Sequence, residues 1–337
     1  APAPAPAPAA AQPAPVPVAP VPTGAKAWIL MDHATGQVLA GENIDQPLEP
    51  ASITKVMTTY VVAAEMAAGK VKADDQVRIS ENAWRSGGAG TDGSYSALAV
   101  NSQVKLDDVL HGLVIQSGND AAIALAEHLA GTEAAFVDMM NAYASKLGMS
   151  GSHFENAHGL TADGHVMTAR DIATLSRALI NHFPDHYALY KIKEFTYNGI
   201  QQYNRNGLLW KDDSVDGLKT GHTSAAGYCL AASAKRGDQR LVSVVLGIDT
   251  NSRNEGFRLR EQGNLALLNW GFRHFETHSV YGAGEQVAEH QIWRGAAETV
   301  SLGVTEPLLV TVPRGRYGEL KPSMDVPKQL SAPVAKG

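Results

Sequence analysis

The sequence predicts an α/β (α+β) fold, with one sheet drawn from two distant parts of the chain, a helical block packed on it, and a small all-β domain at the end. Three observations predict it. Strand-like runs occur at residues 26–40 and again after Trp210, helix-period segments fill most of residues 52–182, and only short strand-like pieces recur beyond about Phe275. With 337 residues and 44% hydrophobic composition, the chain can bury one large core and a second, smaller one.

Taken in order, nine of the seventeen prolines fall in residues 1–22, an Ala-Pro-Val tract that cannot form a core. Residues 1–23 are therefore expected to be an extended, disordered tether. The first residue is Ala1, as expected of a chain whose export signal has been removed. Ala27–Met31 and Gln37–Ala40 read as a hairpin turning at Thr35-Gly36. From Ser52, the apolar residues Ile53, Val56, Met57, Tyr60, Val61 and Ala64 mark a helix that stops at Gly69. Helices are expected at 107–115, 120–129, 133–147 and 169–180, with Gly131 and Gly148 as stops and Thr168 with Asp171 as a capping box. Residues 215–220, 227–234 and 240–248 read as neighbouring strands, and a helix follows at about 258–270. The expected division is 24–274 for the main domain and 275–337 for the small β domain, with strands near 298–304 and 307–312.

Three clusters carry chemistry: Ser52-Ile53-Thr54-Lys55, Ser117-Gly118-Asn119 and Lys219-Thr220-Gly221. In the first, a hydroxyl and an amine three residues apart project from one helix face, which gives the serine a base. An isolated serine at that spacing is usually only a helix cap, and Ser-Gly-Asn alone is usually a turn. Their ordered occurrence in one chain favours catalysis. The set is similar to the S-x-x-K, S-D-N and K-T-G elements of penicillin-recognising enzymes.

More of the chain carries the same resemblance. Pro50–Lys55, Gln116–Asp120, Asn156–Leu160, Thr168–Asp171 and Asp216–Thr223 resemble signatures of the D-alanyl-D-alanine carboxypeptidases among low-molecular-mass penicillin-binding proteins, and Asn204-Arg205-Asn206 and Asn269–Arg273 extend the match. The resemblance implies a penicillin-binding transpeptidase/β-lactamase-like sheet and a serine peptidase that removes the terminal D-Ala from peptidoglycan stem peptides. Ser52 would be the nucleophile, Lys55 its base, Ser117 a proton shuttle to the leaving amine, and Asn119 the amide that orients Lys55 and substrate. Lys219 would lower the pKa of Lys55 and attract the substrate carboxylate. Thr220 and Gly221 would lie on an edge strand that pairs with substrate, the missing side chain of Gly221 letting its backbone approach. Backbone N–H groups of Ser52 and His222 would form the oxyanion hole. Arg258 is the candidate for holding the terminal carboxylate, with Arg253 and Arg260 as rivals, because the segment 258–262 departs from the family's Arg-x-Glu-Ser pattern.

β-Lactams would acylate Ser52 by the same route, with no cofactor or metal. The twelve histidines show no His-Glu-x-x-His or comparable spacing, and His158 reads as a loop-shaping residue. Cys229, the one cysteine, reads as buried and inert. A net charge of −6 gives no nucleic-acid footprint, and no uninterrupted apolar run is long enough to span a bilayer. Periplasmic residence is expected, with inner-membrane contact only through a C-terminal anchor of the family that this chain, ending at Gly337, does not contain. Two rivals stand beside this reading. A class A β-lactamase is disfavoured by Ser-Gly-Asn in place of Ser-Asp-Asn and by the lack of a Glu-x-x-Leu-Asn segment. A non-catalytic wall-binding protein would need neither nucleophile nor base.

Overall fold

The computed structural model describes residues 15–88, 91, 93–327 and 329–334. The chain divides into two compact units, one spanning Ala19–Phe272 and the other containing Arg273–Gly337. In the first unit, β1 (Ala27–Asp32) and β2 (Val38–Glu42) form the expected hairpin. A 3₁₀ turn, Ala51–Thr54, runs straight into α1 (Lys55–Ala67). The short strands β3 (Gln76–Arg78) and β4 (Gln103–Lys105) flank α2 (Glu81–Gly87), and α3 (Leu106–His111) continues into a π-helical turn at Gly112–Gln116. The helical block goes on through α4 (Asn119–Ala130), α5 (Glu133–Lys146), α6 (Ala169–His182) and α7 (Pro184–Ala188). After the hairpin β5 (Glu194–Tyr197) and β6 (Ile200–Tyr203) come β7 (Val215–Thr223), β8 (Gly227–Arg236), β9 (Gln239–Ile248) and α8 (Arg253–His274).

The main sheet has the order β2-β1-β9-β8-β7, all antiparallel, so β1 pairs with β9 across most of the chain. The expectation of a sheet drawn from two distant parts of the chain is met. Every residue of β1 is buried, because the sheet is covered on both faces. Ala27, Ile29 and Met31 join the core under the helical block, with Met57, Leu110, Ile123 and Phe136. Trp28 and Leu30 point the other way, into a second cluster with Leu267 and Phe272 of α8. β7 forms one edge of this sheet, as expected for the strand carrying Lys219-Thr220-Gly221.

Three local expectations need correction. The Thr168 hydroxyl accepts from Asp171 N at 3.0 Å, but the Asp171 carboxylate does not complete a capping box. It accepts instead from Gly151 N and Ser152 Oγ, which ties a preceding loop to α6. The last helix of this unit begins at Arg253, one and a half turns earlier than its apolar pattern suggested. Much of the proposed N-terminal tether, residues 1–14, lies outside the described residues. Its last residues are packed: Pro22 is buried, and Pro20–Thr23 line a hollow with Leu259, Gln262 and Gly263 of α8.

The second unit contains two small sheets. β10 (Phe275–Tyr281) pairs with β13 (Leu308–Pro313), and β11 (Gln286–Trp293) lies between β12 (Thr299–Gly303) and β14 (Leu330–Ser331). Half-buried and exposed residues alternate along β11 and β12, the pattern of strands wetted on one face. The all-β character expected of this region holds.

Candidate active site

Ser52 lies in the 3₁₀ turn, where residues three apart eclipse one another, and Lys55 is the first residue of α1. The spacing therefore brings Lys55 Nζ to 2.9 Å from Ser52 Oγ. Two other groups surround the amine: Asn119 Oδ1 at 2.7 Å and the His158 carbonyl oxygen at 2.7 Å. Both can only accept. A neutral amine satisfies this surround completely, donating its two hydrogens to Asn119 and His158 and offering its lone pair to the Ser52 hydroxyl. Lys55 is 0% exposed, and burial pushes its pKa down to about 7, with the Asp120 carboxylate pulling weakly the other way. Burial is the leading cause of this shift. The expected repulsion between the two lysines is felt at Lys219, whose pKa lies well below the ordinary lysine value because of burial first and Lys55 second.

Ser117 ends the π-helical turn in the left-handed region (φ 67°), a conformation uncommon for a residue with a side chain. This reversal separates it from α4, which Asn119 begins, and both side chains are buried. Ser117 Oγ lies 2.9 Å from Lys219 Nζ, so motif two contacts motif one through Asn119 and motif three through Ser117. Next in sequence, Asp120 accepts backbone N–H bonds from Ser96 and Leu98 and fastens the loop before β4 to this break.

β7 brings Lys219 beside these groups, with Lys219 opposite Ala231 and Gly221 opposite Cys229 on β8. Lys219 Nζ also donates to the Thr220 carbonyl at 3.1 Å. Gly221 has a reason within the fold itself for being glycine. A Cβ there would lie 2.6 Å from the Pro50 carbonyl oxygen and 3.2 Å from Ala51 Cβ, so its bareness lets β7 lie against the turn carrying Ser52. His222 is exposed, its ring tilted against that of Tyr228 with centroids 4.1 Å apart, and its imidazole bonds to none of the motif side chains.

The three candidate arginines stand in different surroundings. Arg258 is on the exposed side of α8, bonded to Gln262 at 2.7 Å and paired with Glu255 at 3.6 Å. Arg260, two residues on and turned some 200° around the helix, is 3% exposed and donates to the Gly221 carbonyl at 3.4 Å. No carboxylate among the described residues pairs with it, its Nε has no partner, and burial lowers its pKa to about 10. Arg253 lies over the Phe257 ring at 5.3 Å and Arg260 over the same ring at 4.6 Å. No group of three or more metal-ligating side chains occurs among the described residues. His158 shapes its loop: its Nδ1 accepts from Leu160 N at 3.1 Å, and burial lowers its pKa to about 3. Cys229 is buried in β8.

Residues 14–250 match the family model described as D-alanyl-D-alanine carboxypeptidase, and residues 275–337 match that of the penicillin-binding protein 5 C-terminal domain. The D-alanyl-D-alanine carboxypeptidase DacC of Escherichia coli (strain K12) is 47% identical over 93% of this chain and 78% of its own length. This chain belongs to the D-alanyl-D-alanine carboxypeptidase family. Among solved structures, penicillin binding protein 5 from Haemophilus influenzae superposes with a TM-score of 0.89 at 41% identity, covering 95% of this chain and 92% of its own. Penicillin-Binding Protein D2 from Listeria monocytogenes, solved in a cefotaxime-bound form, gives a TM-score of 0.66 at 29% identity over 76% of this chain and 99% of its own. As a member of the D-alanyl-D-alanine carboxypeptidase family, the chain is a serine-type hydrolase and a penicillin-binding protein. No helix among its described residues is long and apolar enough to cross a membrane.

Some segments that resemble the family carry no chemistry of their own and brace the site. Asn206 Nδ2 donates to the Gly217 carbonyl at 3.0 Å, bracing β7 just before Lys219. Asn156 Oδ1 accepts from Gly159 N at 2.6 Å and folds the loop whose His158 carbonyl meets Lys55. Carbonyl acceptors and loop braces leave no periodic trace in a sequence. Asp120 did leave one, a carboxylate in the first turn of a helix beside a Ser-Gly-Asn break.

Proposed function

We propose that Ser52 is the nucleophile of the carboxypeptidase reaction and Lys55 its general base. The observation that carries this is the surround of Lys55, which a neutral amine satisfies without remainder and which points its lone pair at Ser52 Oγ. The Ser52 proton passes to Lys55 as Oγ attacks the penultimate D-Ala carbonyl, giving a tetrahedral intermediate at the N–H groups of Ser52 and His222. A proton then reaches the leaving nitrogen through Ser117, which Lys219 holds at 2.9 Å. D-Ala departs, and water hydrolyses the acyl-enzyme. Arg260, buried beside Gly221 with no carboxylate paired to it among the described residues, takes the substrate's terminal carboxylate together with Lys219. The open edge of β7 at Lys219-Thr220-Gly221 supports substrate binding as an added strand.

The substrates are peptidoglycan stem peptides ending in D-Ala-D-Ala, and β-lactams acylate Ser52 by the same attack. Such peptides are presented outside the cytoplasmic membrane, which supports a periplasmic site of action. Inner-membrane association belongs to the same reading, and fractionation of cells expressing the protein is the check. The enzymatic test is release of free D-Ala from a diacyl-D-Ala-D-Ala tripeptide, together with mass mapping of a penicillin adduct. D-Ala release with the adduct on the Ser52 peptide is expected; an adduct elsewhere overturns the nucleophile assignment.

A further inference from the structure

Glu133 is the first residue of α5, yet its carboxylate serves a different segment. The N-terminus of α5 is capped by Thr132, whose hydroxyl accepts from Ala135 N at 3.2 Å. Glu133 Oε1 instead accepts from Ala157 N at 3.0 Å and lies 3.5 Å from His158 Nε2. Leu160 N donates to His158 Nδ1, so the neutral ring carries its hydrogen on Nε2, facing Glu133. One carboxylate thus holds Ala157 by a hydrogen bond and faces the ring of the next residue. The carbonyls of those same residues face α1: Ala157 O accepts from Thr58 Oγ1 at 2.6 Å, and His158 O accepts from Lys55 Nζ at 2.7 Å. Gly159 packs so tightly on the Ala51 carbonyl that a side chain there would collide with it.

We propose that Glu133 is a positioning residue for catalysis, holding residues 157–160 against α1 so that the His158 carbonyl orients Lys55 and the segment keeps water from it. This rests on the reading of Lys55 as the base. What matters is the reach of the side chain more than its charge, since an amide oxygen at the same place could accept from Ala157 N. The titratable and charged groups around Lys55 are Asp120 from α4, Lys219 from β7, and His158 and His165 from the segment after α5, while Glu133 itself faces Glu127 of α4. Loosening the 157–160 segment hydrates Lys55 and moves its pKa back toward the ordinary lysine range, because burial is the main cause of its depression.

The measurement is the rate of covalent acylation by benzylpenicillin as a function of pH, for the parent and for Glu133→Gln, Glu133→Asp and Glu133→Ala. Glu133→Gln should keep the acid limb in place and the rate within about twofold. Glu133→Asp, which keeps the charge and loses one methylene of reach, should move the limb upward by about one unit and slow acylation at pH 7 about fivefold. Glu133→Ala should do the same or more. An unmoved limb in Glu133→Asp overturns the proposal, as does a Glu133→Gln variant that falls while Glu133→Asp holds. Thermal melts identify a poorly folded Ala variant, and the Gln and Asp variants then decide. Lys55→Met is the control for the underlying reading: normal acylation without Lys55 would defeat the base assignment, whatever Glu133 does.

Discussion

Two serine–lysine pairs stand side by side in this site, each with Nζ 2.9 Å from Oγ, and their surroundings differ. Ser52 and Lys55 share one turn of chain, while Ser117 and Lys219 come from a helix break and an edge strand 102 residues apart. Lys55 meets two acceptor-only oxygens from separate segments, which leaves its lone pair to the serine. Lys219 bonds to the Thr220 carbonyl and feels the cations Arg205 and Arg260. In the proposed mechanism the same two side chains at the same distance thus act as a base in one place and an anion-holding proton relay in the other. Neighbours, more than the pair itself, assign the chemistry.

The comparison breaks most visibly at its serines. Ser52→Ala should cost roughly 10³-fold or more in D-Ala release and abolish the penicillin adduct. Ser117→Ala should cost about 10²-fold, since proton delivery is impaired while the nucleophile remains. Equal losses in acylation would make the two pairs one functional unit. At the carboxylate end, Arg260→Ala should lower kcat/KM for the tripeptide by about tenfold to a hundredfold, and Arg258→Ala should stay within about twofold. A reversal of that order would restore the exposed arginine. In pH, the acid limb of acylation should fall near pH 7, because Lys55, depressed to about 7, must be neutral to act.

The smallest effect concerns stability. Between about pH 7 and the ordinary lysine value near 10.4, the unfolded chain holds a proton that folded Lys55 has released, so unfolding free energy rises with pH across that window. Lys55→Met should flatten part of this rise, and chemical denaturation at pH 7 and pH 9 checks it. A slope unchanged by the substitution would assign the titration to Lys219.

The sequence disclosed the pieces that repeat or punctuate. The strand-like runs of β7–β9, the apolar face of α1 and the glycine stops Gly131 and Gly148 all predicted elements that the fold contains. The three motifs came together because each is a local string whose spacing survives in the fold. What stayed hidden were groups recruited across the chain: the His158 carbonyl, Asn206 behind β7, and the choice of Arg260 over Arg258. Exposed Arg258 and buried Arg260 differ in helical phase, which the first turns of α8, with Arg253 and Glu255, carry too little apolar pattern to reveal. Gly221 shows the same limit, since its close neighbour is the Pro50 carbonyl, from the turn before α1.

The position of β1 within the sheet has a consequence for how the enzyme comes into being. Trp28 lies opposite Val245, so the second strand of the molecule's main sheet cannot be paired on both sides until nearly the whole first unit exists. A nascent chain of two hundred residues already carries Ser52, Lys55, Ser117 and Asn119, yet it lacks β7, β8 and β9, and β1 presents an unpaired apolar edge. Such high sequence separation between partners slows folding and leaves the partial chain prone to association. In the proposed mechanism the nucleophile is thus made early in synthesis, whereas Lys219 on β7 and Arg260 on α8 arrive much later.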